Sequence, residues 1–415
     1  MTRGFRTVGA LRRRALWCGF ALAAAASLAL QGQQSSPLVQ PRDLILDGSF
    51  RLPAGRFGAS EFAYGGTALA FNAANGSLLM VGHDQQQMVA EVTVPPIGLS
   101  AEISGLATAA VLRPFVDVTE GLLHLADPGE SNPIKIGGLL PYNGRLYISA
   151  YSYYDADSTQ QLTHFVSGTD LAVAGDVRGP YRVGTTGAGY IGGYFAEVPA
   201  IWRTALGGPV VNGQCCIPIV TRTSYGPALF AIKPADLGVR NPAPAVPLVY
   251  YPSDHFVNDW DVKSGFWNGS TEIGGVVIPE NTRSALFFGR QGLGPFCYGE
   301  GAACGDPTDP YKGTHAYPYA YYVWAYDLTD LAAVKAGQKR PWDVRPYAVW
   351  PLILPFGIAN AHLRGATYDR STGRIFVTQA FGDESQPLVH VFRINPGATG
   401  SPAASIAPAN LRVIR

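Results

Sequence analysis

The stretch Ile136-Gly137-Gly138-Leu139-Leu140-Pro141-Tyr142-Asn143-Gly144-Arg145-Leu146-Tyr147-Ile148-Ser149-Ala150-Tyr151 decides the fold. Two apolar runs flank Asn143-Gly144, and Asn-Gly between such runs is a strong hairpin signal because both residues accept the positive φ of a tight reversal. Paired glycines open the hairpin, and the same opening recurs along the chain at Tyr64-Gly65-Gly66, Ile191-Gly192-Gly193, Ile273-Gly274-Gly275 and, with one glycine lost, Leu363-Arg364-Gly365. Each opening is followed by a second predicted strand, at Leu78–His83, Leu146–Tyr151, Ile217–Arg222, Ala285–Arg290 and Arg374–Gln379. Asn75-Gly76 and Thr372-Gly373 supply further turns of the same kind.

A third strand is predicted in every unit, at Met88–Val94, Leu162–Ser167, Ala228–Lys233, Tyr322–Asp327 and Leu388–Ile394. A fourth is predicted at Leu112–Val118, Tyr181–Val183, Val246–Tyr251 and Tyr347–Leu354. The fifth unit lacks one, and Leu44–Leu52 can supply it from the N-terminal side, burying an edge that would otherwise invite aggregation. Four antiparallel strands repeated around a ring describe an all-β fold, the β-propeller. The expectation is five four-stranded blades closed by an N-terminal strand, with six or seven if an irregular blade is hidden in the long intervals. Unit starts at 64, 136, 191, 273 and 363 are further apart than a ~40–50-residue blade needs, so several blades carry long loops.

Composition agrees. The 415 residues include 49 Gly and 32 Pro, with 19 Phe, 7 Trp and 21 Tyr, and only 15% are charged. That excludes a coiled coil or helical bundle, and ample hydrophobic content with a small net charge argues against disorder. Residues 1–30 read as a signal peptide: five arginines and no acid up to Arg14, then an uncharged apolar run from Ala15 to Leu30, shorter than a typical membrane span. Arg12-Arg13-Arg14 fits a twin-arginine signal loosely. Residues 31–43 read as a linker, 44–394 as the propeller, and 395–415 as an Ala/Pro-rich tail. Removing five positive charges from a net +1 leaves the mature chain at about −4, which disfavours a nucleic-acid partner. No membrane association is expected after signal removal. The expected product is a monomer, secreted or periplasmic.

Four cysteines remain beyond the signal: Cys215, Cys216, Cys297 and Cys304. In an oxidising compartment an even number suggests disulfides. Cys297 and Cys304 can close a Gly-rich loop, while the adjacent Cys215 and Cys216 either bridge each other or pair elsewhere. A zinc site using these sulfurs with His255 or His315 is the alternative, without CxxC spacing to support it.

Aligning the second strands puts His83, Tyr151, Arg222, Arg290 and Gln379 in one register. The strands leading in are mostly apolar, yet this position is polar every time. Second strands end at the face where first strands begin, so the five side chains are expected to ring one mouth of the central channel. Strand ends that simply turn polar at the solvent boundary are the plainer explanation. The loop Ser253–Glu272, with His255, Trp260 and Trp267, and the loop Gln291–Tyr321, with His315 and five tyrosines, cover the same face, as does Tyr225. Aromatic faces beside arginines suit a glycan cleft; packing of the loops onto the propeller is the competing explanation.

His and Tyr near two Arg suit β-elimination on a uronate polysaccharide. Arg neutralises the carboxylate, His or Tyr removes the C5 proton, and Tyr protonates the leaving oxygen. The candidate catalytic residues are therefore His83, Tyr151, Arg222 and Arg290, with Gln379, Tyr225, His315, Trp260 and Trp267 as substrate-binding candidates; no metal or cofactor is called for. In these residue types and this fold the chain resembles β-propeller polysaccharide lyases, including those acting on ulvan, and over most of its length it resembles uncharacterised secreted bacterial propellers. The first resemblance implies a polysaccharide partner, anionic where it carries uronate. Two alternatives stay open. One is a non-catalytic propeller that binds glycan or protein. The other is a glycoside hydrolase, which needs two carboxylates ~5–10 Å apart. The inner strands, read from their glycines onward, place no acid at the mouth, leaving Glu61, Asp84, Glu280 and Asp383 to reach it from loops.

Overall fold

The computed structural model describes residues 36–129, 133–216, 222–358 and 362–396. The signal peptide, the first five residues of the linker and most of the tail lie outside the described residues. The chain folds as a five-bladed β-propeller of four-stranded antiparallel sheets. Listed from the channel outward, blade one is Leu69–Asn72, Ser77–Val81, Val89–Thr93 and Val111–Val116. Blade two is Ile134–Tyr142, Arg145–Ser152, His164–Gly168 and Arg178–Tyr181; blade three is Phe195–Glu197, Val210–Asn212, Leu229–Ile232 and Ala245–Val249. Blade four is Glu272–Val277, Ser284–Gly292, Tyr319–Asp327 and Ala348–Pro351. Blade five runs Leu363–Asp369, Arg374–Asp383 and Gln386–Ile394, and its outer strand is Leu44–Arg51, paired from Leu44↔Ile394 to Arg51↔Leu388. The ring is thus closed by the N-terminal strand.

The recurrent Gly-Gly marks where neighbouring inner strands converge near the axis. A Cβ on Gly137 would lie 2.2 Å from the Gly192 carbonyl oxygen, and one on Gly138 2.4 Å from that of Gly193. A Cβ on Gly274 would lie 2.0 Å from the Leu363 oxygen. Only glycine permits backbone to approach backbone this closely. Each sheet is buried on both faces, which is why its strands read as continuous apolar runs. Leu286 and Phe288 pack toward blade five, whereas Ala285 and Phe287 pack toward blade three, so five separate cores fill the five interfaces between blades.

Blade three corrects the sequence reading. Its second strand is Val210–Asn212, not Ile217–Arg222, and residues 217–221 lie outside the described residues. Gly213 ends that strand against Ala228, whose carbonyl oxygen would be 1.8 Å from a Cβ there. The chain then leaves the sheet through Cys215–Cys216, which bridge each other, and a second disulfide joins Cys297 to Cys304. With all four sulfurs oxidised, none is a thiolate for zinc. Among the described residues no helix is long and apolar enough to cross a membrane.

Candidate functional site

Inner strands start, and second strands end, at one mouth of the channel. The residue one position before the Ile-Gly-Gly opening therefore stands at the rim. In blade two this is Lys135, cross-strand partner of Tyr151; in blade four it is Glu272, partner of Arg290; in blade five it is His362, preceding Leu363. Glu272 accepts from Arg290 Nη2 at 2.9 Å and from His362 Nδ1. Burial opposes ionisation of Glu272, but Arg290, His362 and Arg364 prevail and hold it well below the usual carboxylate range. Burial, with Arg290 second, lowers His362 to about 4 against the pull of Glu272. The imidazole is therefore neutral at pH 7, with Nδ1–H directed at Glu272 and Nε2 carrying its lone pair. Glu272 fixes the tautomer, as a carboxylate does for a general-base histidine.

Arg364, next along the inner strand but one, has no ion pair among the described residues. It acts on the charge of Glu272, His362 and Tyr151 alike. Burial raises the Tyr151 pKa, Arg364 opposing, so its hydroxyl stays protonated. Tyr153 senses Glu272 and Arg364 in the same way. The near side of the rim is completed by Lys135 Nζ, 2.6 Å from Asp84 Oδ2.

Arg290 is held from behind. Its guanidinium lies 4.2 Å from the Tyr319 ring centroid, a cation–π contact. Tyr319 donates to Asp306 Oδ2 at 2.7 Å, and Asp306 also accepts from Thr308 Oγ1 at 2.6 Å and His315 Nδ1 at 3.0 Å. These bonds outweigh burial and keep Asp306 at about 2. His315 Nε2 faces the carbonyls of Gly299 and Tyr311, which only accept, so both ring nitrogens carry protons and the ring is cationic. Burial pulls its pKa down, but Asp306 raises it further. The Cys297–Cys304 disulfide closes this insertion, whose hairpin pairs Cys297 with His315.

Tyr151 and Arg290 stand in the cluster. His83 is one residue from Asp84 on the rim, half-buried, its ring 5.5 Å from that of Tyr64. Arg222 is buried in the loop after the second strand of blade three, ion-paired with Asp155 and donating to Ser158 Oγ at 3.0 Å. Gln379 is buried, binding His390 Nε2 through Oε1 at 2.6 Å and donating to the Phe356 carbonyl. His315 and Trp267 are each 1% exposed, the latter against Trp324. Tyr225 stacks on Phe256 at 4.3 Å, with Trp260 edge-on at 5.1 Å. So the loop Ser253–Glu272 uses most of its aromatics to pack itself down over blades three and four.

Sequence reasoning missed Glu272, His362, Arg364 and Lys135. The expectation that no acid reaches the mouth from the inner strands is corrected by Glu272, and the expectation for Glu280 is corrected by its position at the opposite mouth, ion-paired with Arg370 at 2.8 Å. Asp383 instead pairs with Arg51 at 2.7 Å. In blades two, four and five a charged or titratable residue stands immediately before the Ile or Leu that opens the repeat motif.

No family model matches the chain, and no curated protein matches it. Among solved structures, an endo-arabinanase from Bacillus licheniformis is 12% identical, with a TM-score of 0.38, covering 82% of this chain and 95% of that one. An α-L-arabinanase from Cellvibrio cellulosa is 9% identical with a TM-score of 0.41, covering 82% and 96%. A luciferin-regenerating enzyme is 9% identical with a TM-score of 0.34, covering 81% and 93%.

Proposed function

We propose that this mouth binds a uronate-containing polysaccharide outside the cytoplasm and cleaves it by β-elimination. The observation that carries the reading is the neutral His362, oriented by Glu272 beside Arg364, a cation with no ion pair among the described residues. Arg364 neutralises the uronate carboxylate and so acidifies the C5 proton. His362 Nε2 takes that proton. The C4–O bond breaks as the C4–C5 double bond forms, and the Tyr151 hydroxyl protonates the departing oxygen. His362 thus takes the role that the sequence had suggested for His83. Hydrolysis is served less well, because Glu272 is held ionised, the reverse of what a proton-donating carboxylic acid needs.

The test is incubation of the mature protein with a panel of uronate polysaccharides, following the ultraviolet absorbance of the unsaturated product. Absorbance that grows with wild type and is lost in His362→Ala supports elimination. Because His362 is held at about 4, the acid limb of kcat/KM is expected near pH 4 instead of near an ordinary histidine value. Binding without product on every substrate would overturn catalysis and leave a glycan-binding module.

A further inference from the structure

We infer that Tyr64 is a sugar-stacking platform beside the site, a reading that rests on the polysaccharide function proposed above and extends it to a second subsite. The loop Ser253–Glu272 packs most of its aromatics away and the blade-four insertion exposes Tyr298 and Tyr311, whereas beside blades one and two Tyr64 is 54% exposed, Tyr153 47% and Tyr154 48%. Tyr64 precedes the first glycine pair and its backbone is left-handed, at φ 58°. Phe381, 5.9 Å from it edge-on, is left-handed at φ 57°, and sits where the pairing of the second and third strands of blade five shifts register. Positive φ in a bulky aromatic is an outlier, and such strain gathers at ligand clamps.

The strain at Tyr64 does not serve burial. Its backbone N–H is fixed to the Ser385 carbonyl at 2.8 Å, while the ring stays in solvent, braced by the edges of His83 and Phe381. A strained residue held to present an open apolar face fits the flat C–H face of a pyranose. The platform is continuous with the site: His83 adjoins Asp84, Asp84 holds Lys135, and Lys135 pairs with Tyr151. A chain whose uronate sits at Arg364 then lays a neighbouring sugar on Tyr64.

The left-handed backbone makes the test sharp, since Tyr64→Gly removes the ring and also relieves the strain. Calorimetric titration uses glucuronate-, galacturonate- and mannuronate-containing tetrasaccharides, with product absorbance and melting read on the same samples. Tyr64→Gly is expected to melt no lower than wild type yet bind about tenfold more weakly, while Tyr64→Phe binds within about twofold of wild type. Equal binding by wild type and Tyr64→Gly overturns the platform, as does an equal loss in Tyr64→Phe, or a wild type that binds no member of the panel. Tyr64-dependent binding without unsaturated product supports the platform and ends the elimination reading. Product formation with a KM unmoved by Tyr64→Gly does the reverse.

Discussion

At one end of the channel Glu272 meets Arg290, His362 and Arg364; at the other, Glu197 and Glu280 share Arg370, with contacts of 3.7 Å and 2.8 Å. Both ends combine glutamate with arginine on inner strands or just beyond them. At the first end Arg290, Arg364 and Lys135 face two carboxylates, Glu272 and Asp84. At the second, Arg370 contacts both carboxylates, and Arg203 acts on Glu197 as well. Glu272 is accordingly held ionised, whereas burial raises Glu197 despite Arg370. The first mouth thus offers Arg364 to an incoming anion, whereas Arg370 at the second is shared by two carboxylates. Residue type alone predicts neither; the ratio of charges within reach does.

Breaking the first mouth is expected to cost most at His362. The substitution His362→Ala removes the base and lowers turnover by about 10²–10⁴, measured as initial rate of product absorbance. Arg364→Ala comes next: loss of a charged contact raises KM for uronate substrates by about 10–100-fold in steady-state kinetics, with little change for a neutral reduced polysaccharide in a binding assay. Tyr319→Phe keeps the ring under Arg290 but removes the hydroxyl from Asp306, and about 1 kcal/mol of stability is expected to be lost in denaturant unfolding. The smallest effect belongs to the other mouth. Since the folded state binds a proton at Glu197 more tightly than the unfolded chain, this group costs stability as pH rises through the ordinary glutamate range. Glu197→Gln should therefore raise stability at pH 7 relative to pH 4, by within about 1 kcal/mol, and leave elimination unchanged. A loss of activity there would erase the contrast between the mouths.

The blades were legible wherever the local signal was strong. Asn143-Gly144 and the runs beside it form the predicted hairpin, and the stretch from Leu44 closes the ring. Blade three was misread because its second strand is only three residues long, Val210–Asn212, and a more apolar stretch follows it. In the site, Tyr151 and Arg290 stood out because polar residues ended apolar strands. Gln379 looked the same in the sequence but lies inside the strand Arg374–Asp383, where its buried amide is satisfied by His390 of the neighbouring strand. Glu272 and His362 lie just ahead of the repeat motif, so a pattern defined by its glycines does not include them.

The repeat is a local property of the chain. Glycine pairs, turn residues and uninterrupted apolar strands dictate blades that bury both faces and converge on an axis where no Cβ fits. The site is a product of ring closure. Tyr151, Glu272 and His362 come from blades two, four and five, and ring closure sets them around one mouth. Their protonation follows from burial and from the charges that closure brings within reach, and neither quantity is a property of a residue's neighbours along the chain.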